Sequence, residues 1–482
     1  MRPPRSGTGS GAGNGAPRTG GEDDGPAGQG QRSLERSLGL KEALAIGVGT
    51  MVGAGIFVFP GLAAGRAGPA SMLSFAVGAG IALLVALPTA ELATAMPESG
   101  GVYHFVSRGL GPAAGTLVGL GQWSGLMFAA AFYLVGFGYY LSDTLAEVGL
   151  SVGEPVAVVA AAAAALLTAV SIAGTRKSGN LQKVIVAALV AILGLFLLYG
   201  GLDATGVFGA EHVPEAFAPF GALPIFTTAA LVFTSYLGFA QIATVAGEIR
   251  EPSRNLPRAL VGSVLVVGAL YVITIFVATS ALGSERLAGL GEVAIVEVAR
   301  ELLGPAGAVA LLAAGVFATL SSANASILSS SRTVYALSRD RLLPDGLDRI
   351  SERFRTPHVA LLLTGVPITA LVLVGRVEVL AEVASLLHLV MYGLVCVVLI
   401  RLRRERPAGY RPDFECPGYP AVPLLGAAAS FGLIAFMQPL SIVIGGGLIA
   451  ASLVWYLAYA SRAADEFPGL EEALAEGGGD DT

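Results

Sequence analysis

The feature that most restricts this chain is a run of apolar blocks, each long enough to cross a bilayer, repeated along nearly its whole length of 482 residues. About 20 consecutive apolar residues span the hydrocarbon core. Such blocks lie near 41–62, 69–95, 113–141, 155–174, 182–202, 223–247, 258–282, 304–336, 358–375, 379–400, 420–437 and 440–461. In lipid only helices and closed barrels satisfy every backbone polar group. The blocks far exceed the roughly ten-residue alternating strands of a barrel. The expected fold is therefore all-α and integral to the membrane, with about twelve transmembrane helices. Charged residues make up only 13% of the chain, about half the usual share of about 25% in a soluble domain, which agrees with that reading.

The flanks differ from the spans. Residues 1–36 are rich in Gly, Pro, Arg, Asp and Ser and are expected to be a disordered cytoplasmic tail. They carry no apolar h-region or cleavage site, so no secretory signal peptide is expected there. Residues 463–482 hold Asp465, Glu466, Glu471, Glu472, Glu476, Asp480 and Asp481, an acidic cytoplasmic tail that accounts for most of the net charge of −6. The membrane domain is thus 37–462. With the N-terminus inside, every Lys and Arg except Arg66, Arg286, Arg300 and Arg376, out of 29, falls on the inner side. That asymmetry predicts an even number of spans and both termini in the cytoplasm, in a multi-pass protein of the cell membrane.

Several function classes drop out. There is no basic face for nucleic acid, and Cys396 (in a span) and Cys416 (in an inner loop) offer neither a disulfide nor zinc spacing. The four histidines, His104, His212, His358 and His388, join no HExxH or Ser/His/Asp grouping, and no Walker A is present. Neither an enzyme nor a cofactor is expected, and the bilayer itself is the one partner the spans demand.

Two spans look weak at mid-depth. The first reads Ile46-Gly-Val-Gly-Thr-Met-Val-Gly-Ala-Gly-Ile-Phe57, with glycines at 47, 49, 53 and 55. Each costs a helix about 1 kcal/mol relative to Ala. Small residues also serve close packing between membrane helices, so this segment alone leaves both readings open. The sixth span, Thr234-Ser-Tyr-Leu-Gly-Phe-Ala-Gln241, is interrupted at Gly238 and runs into the charged turn Glu248–Pro257. A pair of interrupted spans at corresponding positions points to an inverted-repeat transporter. Unwinding frees N–H groups that attract an anion at a helix N-terminus, and carbonyls that accept from an ammonium or a cation. Facing breaks can hold both ends of a zwitterion without a buried charged side chain, which costs about 2.5–3.5 kcal/mol at the helix centre.

With these residues the chain resembles the amino acid–polyamine–organocation superfamily of permeases. Gly53-Ala-Gly-Ile-Phe57 is similar to that family's first-helix motif, and Ala90–Tyr103 to its second signature. Gly238-Phe239, Glu248, Pro252 and Asn255-Leu-Pro257 match the sixth helix and its loop, and Thr319–Ala325 with Ser331–Asp340 the eighth. The likeness covers about 40–460 in order. It implies a leucine-transporter-like core of two inverted five-helix repeats, about 41–202 and 223–400, with helices 1 and 6 broken and two peripheral helices at about 420–461. It also implies alternating-access transport of amino acids or related small amines. The substrate site would comprise Met51, Gly53, Ala54, Gly55 and Ile56 with Thr234, Ser235, Tyr236, Leu237, Gly238 and Phe239. In it the carboxylate meets Ala54 and Gly55 and the amine meets carbonyls of Met51, Thr234 and Leu237. Tyr236 and Phe239 either gate that pocket or simply pack.

The chain departs from its family at two positions. Many relatives carry a glutamate after the sixth-helix Gly-Phe; Ala240 and Gln241 stand here, which argues against strongly cationic substrates. A fifth-helix lysine used for proton coupling is replaced by Leu189, with Lys183 nearer the inner end. The Ala-x-x-Ser-Ser spacing of Ala318, Ser321 and Ser322 resembles half of a sodium site, with Gly49 and Val52 as its carbonyl half. Sodium and the proton thus both stand as coupling ions, against the alternative that these serines bond within their own helix.

Other polar residues carry modest expectations. Glu91 and Glu98 should cap the second span or pair with loop arginines such as Arg108. Glu382 and His388, six apart in the tenth span, do not share a helix face. His388 is expected to be packed rather than a proton relay, although an ionisable group inside a membrane merits a test. Gln122 and Trp123 could line a cavity or pack. The arginine-rich segment 339–355 is expected to hold a short inner helix. The competing function on the same fold is an inorganic-ion cotransporter of the cation–chloride type, since fold alone leaves the solute open.

Overall fold

A computed structural model describes residues 38–462, apart from 97–100, 151–154, 175–177, 208–216, 352–353, 355 and 408. The tails 1–36 and 463–482, Glu98 and His212 lie outside the described residues, as do the side chains of 175–186, Lys183 among them. Apart from one isolated bridge between Leu38 and Ile249, the regular structure among these residues is helical. In chain order the helices are α1 (Leu40–Met51), α2 (Ala54–Ala67), α3 (Ser71–Ala95), α4 (Gly101–Leu110), α5 (Pro112–Glu147), α6 (Val156–Ala173), α7 (Ser178–Ala204) and α8 (Leu223–Val232). A 3-10 helix, Phe233–Ala240, leads to α9 (Gln241–Thr244), α10 (Pro252–Leu282), α11 (Ser284–Leu290) and α12 (Ala294–Arg339). The chain closes with α13 (His358–Val374), α14 (Val377–Glu405), α15 (Ala421–Ile434) and α16 (Pro439–Ala458).

Among the described residues nine helical stretches are long and apolar enough to cross a membrane, and α13 and α15 are shorter apolar helices of 17 and 14 residues. The chain is a multi-pass membrane protein. The nine differ from the twelve apolar blocks for two further reasons: α1 is only 12 residues long, and α2 and α3 join through a single 3-10 turn, Gly68–Ala70, into one stretch of 42. A second difference is α4, a short amphipathic helix buried nearly all round, where no apolar block had pointed to structure. Its strong face polarity, rather than length of apolar run, makes it a helix. The third is the loop after α12. Arg339 ends that helix, and the described part of 340–357 holds turns rather than the expected short helix.

The centre of the bundle is the pair α5 and α12, which run along each other, with α3 against α10 and α14 against both α5 and α15. Close approach depends on glycine. A Cβ on Gly315 of α12 would stand 2.2 Å from the Tyr140 ring of α5, and one on Gly365 of α13 would stand 2.3 Å from Thr168 Oγ1 of α6. Small residues at crossings let backbones meet where no hydrophobic drive separates helix from lipid. α12 is bent near its start at Gly304, whose φ of +72° lies outside the helical region, before Pro305 opens the long part.

Two buried carboxylates fasten the ends of the bundle. Glu91 of α3, wholly buried, accepts two hydrogen bonds from Arg403 of α14 (2.7 and 2.6 Å), one from the Tyr410 hydroxyl (2.8 Å) and one from Cys416 N–H (2.6 Å). Its partner is Arg403, a correction to the expected Arg108, because α14 and the loop after it close over the end of α3. Burial, then the Glu91 carboxylate, push the Cys416 thiol up to about 12 and the Tyr410 hydroxyl upward as well. At the other end Glu382 of α14 accepts from Gln438 N–H (3.0 Å), Gln438 Nε2 (3.1 Å) and Arg66 (3.4 Å), while Arg66 also reaches Glu378 at 2.7 Å. Buried charges persist only when hydrogen bonds and a counter-charge satisfy them, and both do.

Candidate substrate site

α1 stops at Met51 and α2 begins at Ala54. Between them the Gly53 N–H, which would close the next turn on Gly49 O, donates instead to Met51 O at 2.8 Å. Gly49 O is thereby left outside the helical ladder, and α2 starts with first-turn N–H groups that no preceding turn can satisfy. The residues here are buried: Met51, Val52, Gly53, Ala54, Gly55 and Ile56 alike. Neither Gly53 nor Gly55 lies at positive φ. What demands glycine is space. A Cβ on Gly53 would stand 2.2 Å from Ser322 Oγ of α12, and one on Gly55 would stand 2.3 Å from Ser235 Oγ and 2.7 Å from the Tyr271 hydroxyl of α10.

The second interruption is graded. α8 gives way at Phe233 to eight residues of 3-10 helix that include Thr234, Ser235, Tyr236, Leu237, Gly238 and Phe239. Runs of 3-10 helix longer than three or four residues are uncommon and often mark a hinge or strain. This stretch touches the first interruption directly. Thr50 Oγ1 lies 3.0 Å from Gly238 O, with Ile46 O of its own helix at 2.7 Å sharing its single hydrogen, and a Cβ on Gly238 would stand 2.7 Å from the Thr50 carbonyl carbon and 2.8 Å from Met51 N. Just beyond, Leu38 N donates to Glu248 O (2.9 Å) and Arg250 N to Leu38 O (2.8 Å), so the chain before α1 is also stitched to the loop after α9.

Polar groups around this contact are unevenly satisfied. Met51 O accepts from the Tyr271 hydroxyl at 3.0 Å, and Leu237 O from the Tyr392 hydroxyl of α14 at 3.1 Å. Thr234 Oγ1 is buried with no hydrogen-bond partner among the described residues, whereas Ser235 Oγ, also buried, stands beside the Tyr271 hydroxyl. A buried polar atom without a partner costs about 1–3 kcal/mol, so Thr234 Oγ1, next in the chain to the serine that faces Gly55, makes a place where a polar solute gains. Tyr236 does not face it: its hydroxyl donates to Phe75 O (2.8 Å), and Phe239 packs on the Tyr392 ring with centroids 5.0 Å apart. Both aromatics act as packing here.

The cation-cage residues fall on both sides of the same junction. Ala318 and Ser322 are buried on α12, Ser321 is partly so, and Ser322 abuts Gly53, two residues from Met51. Leu189 is 4% exposed and packs in the core. Trp123 Nε1 donates to Thr364 Oγ1 at 3.2 Å and so packs, whereas Gln122 lines a small pocket with Gln241, His388 and Tyr392. The tyrosines Tyr271 and Tyr392, which cap the two carbonyls, were missed by sequence reasoning. An isolated Tyr in an apolar span carries no signal of its target.

The chain is similar to known permeases. A family model described as amino acid permease matches residues 38–460. The chain is 30% identical to a branched-chain amino acid permease of Bacillus subtilis over 448 residues, covering 89% of this chain and 92% of that protein. It is 27% identical to a serine/threonine exchanger of Bacillus subtilis, over 83% of this chain and 90% of the relative. A methylthioribose transporter of the same organism is also 27% identical, over 82% and 87%.

Proposed function

Since the chain belongs to the amino acid permease family, we propose that it is a secondary transporter of neutral amino acids that works by alternating access. It is a transporter and not an enzyme. The observation that carries the reading is the contact at Gly238. Two interrupted spans meet there, with the unpaired first turn of α2, the unpartnered hydroxyl of Thr234, the Ser235 hydroxyl against Gly55, and no carboxylate or cation among the residues that meet. The substrate carboxylate sits on the N–H groups of Ala54, Gly55 and Ile56, where the helix dipole favours an anion. Its ammonium sits among the carbonyls of Met51, Thr234 and Leu237. Ala240 and Gln241, where many relatives hold a glutamate, favour a neutral side chain on the solute.

In this reading α1 and α2 are two halves of one span, about twelve spans form two inverted repeats plus two peripheral helices, and one bundle rocks against the other around the break. Both termini face the cytoplasm of the cell membrane, a reading the distribution of Lys and Arg supports.

The test is a thermal-shift screen of the purified protein against the twenty amino acids, polyamines and chloride. A ligand that binds only the folded state raises apparent stability by mass action. A shift with leucine, valine, serine or another neutral amino acid, lost in Gly55→Ala, is the expected result. A shift with chloride salts and none with any amino acid overturns the reading in favour of an inorganic-ion cotransporter.

A further inference from the structure

Two hydroxyls from different elements converge on Gly55. A Cβ there would stand 2.3 Å from Ser235 Oγ, on the 3-10 helix, and 2.7 Å from the Tyr271 hydroxyl of α10. The two side chains stand beside each other, and both are buried. Tyr271 spends its one hydrogen on Met51 O, 3.0 Å away at the end of α1. That oxygen also accepts from Gly53 N–H at 2.8 Å, so both of its lone pairs are engaged.

A solute ammonium that takes Met51 O is therefore a third donor, and one of the first two must yield. Gly53 N–H is backbone, held by the turn between α1 and α2. The Tyr271 ring is held as well: it stacks on Phe75 with centroids 4.8 Å apart and 9° between planes, and lies 5.7 Å from the Tyr236 ring. What can yield is the hydroxyl hydrogen, which rotates to suit its acceptors. The acceptor beside it is Ser235 Oγ. Ser235 too has one hydrogen. While Tyr271 points at Met51 O, that hydrogen goes to the Tyr271 oxygen. Once Tyr271 turns toward Ser235, it is released next to Gly55, at the first turn of α2.

We propose that Ser235 and Tyr271 form a hydrogen-bond relay that ties the two ends of the solute together and so selects zwitterionic amino acids over solutes with a carboxylate alone. The proposal rests on the transporter reading above and deepens it. Ammonium at Met51 O turns the Tyr271 hydrogen to Ser235 Oγ, and the Ser235 hydrogen then donates to the carboxylate at Gly55. Two O–H groups rotate, and no covalent bond changes. A carboxylate alone leaves Tyr271 on Met51 O and meets a Ser235 hydrogen already spent. Tyr271 acts here through Ser235 and Met51, as a positioning residue.

The experiment uses full-length protein in proteoliposomes and reads counterflow exchange, which needs no ion gradient. It measures KM for radiolabelled L-leucine and L-serine, and the inhibition constants of 4-methylpentanoate and 3-hydroxypropanoate, the same molecules with hydrogen in place of the ammonium. Wild type is expected to prefer each amino acid to its analogue. Tyr271→Phe frees both Met51 O and the Ser235 hydrogen. In it the analogue is expected to inhibit about tenfold more strongly, the worth of one hydrogen bond to a charged group, with no rise in KM for the amino acid. Ser235→Ala leaves the Tyr271 hydrogen nowhere to turn. It is expected to raise KM for the amino acid about tenfold and to leave inhibition by the analogue as it was. A merely structural role for either side chain weakens both ligands together. Each variant tests the relay by itself, so a failure of Tyr271→Phe to fold leaves Ser235→Ala to decide. The proposal falls if the analogue inhibits Tyr271→Phe no better than wild type. It falls equally if Ser235→Ala weakens amino acid and analogue alike, or leaves KM for the amino acid unchanged. Absence of counterflow for both amino acids in wild type would instead remove the transporter reading beneath it.

Discussion

The two interrupted segments lose their helical hydrogen bonds in opposite ways. The first stops abruptly: α1 ends at Met51, an inverse γ-turn centred on Val52 follows (φ −76°, ψ 72°), and α2 starts with bare N–H groups. The second tightens gradually over eight residues, with Leu237 O capped by the Tyr392 hydroxyl and Gly238 O in contact with Thr50 Oγ1. The first thus offers donors in excess, and the second offers hydroxyls at Thr234 and Ser235 with acceptors already engaged. On the proposed function a zwitterion would dock carboxylate first on such a surface, because its anionic end meets groups with no competitor. Its ammonium must share carbonyls with tyrosine hydroxyls, or displace them, because each carbonyl oxygen has only two lone pairs.

Breaking that asymmetry has its largest effect at Gly238. In Gly238→Ala the new Cβ meets the backbone of Thr50 and Met51, which cannot rotate away. Overpacking of this kind costs about 1–3 kcal/mol, and loss of all leucine and serine uptake in proteoliposomes is expected together with a lower melting temperature. Gly53→Ala comes next. Its Cβ meets the Ser322 hydroxyl at 2.2 Å but the Ser322 Cβ only at 3.2 Å, so the double variant with Ser322→Ala should recover part of the lost uptake. Purely additive losses in that cycle would show that the glycine serves something other than this contact.

Smaller effects sharpen the contrast between capped and uncapped groups. Tyr271→Phe removes one of two donors from Met51 O, and Tyr392→Phe removes the hydroxyl that caps Leu237 O. Each bond is worth about 0.5–1.5 kcal/mol net, so apparent KM for the amino acid should move by no more than about tenfold in either variant. Thr234→Val replaces an unpartnered hydroxyl by a methyl of similar shape. Stability measured by thermal denaturation should hold or rise slightly, while KM rises if the ammonium uses that oxygen. A fall in stability with unchanged KM would mean that the hydroxyl already has a partner.

Legibility followed the kind of interaction. The membrane class was plain from the apolar blocks, because a bilayer imposes a length on every span. The glycine runs at 47–55 and 238 were visible for the same reason, as residues a helix does not want. By contrast α4 carries no long apolar run, and the segment after Arg339 holds charges that suggested a helix where the chain turns. Glu91 was visible as a buried charge in search of an arginine, yet nothing local could choose Arg403 over Arg108. They are 312 and 17 residues away in sequence, and local proximity favoured the wrong one.

What the sequence by itself determined is therefore the solvent: a chain with these blocks must satisfy its backbone inside lipid and must do so as helices. What only the tertiary structure decided is which polar atoms are left over once the helices have packed. Tyr271 and Tyr392 reach across from α10 and α14 to cap two carbonyls, Thr234 Oγ1 finds no partner, Ser235 comes up against the Tyr271 hydroxyl, and His388 turns one nitrogen to its own helix. Hydrogen bonding is a matter of position to within fractions of an ångström between groups hundreds of residues apart, and no local pattern encodes that.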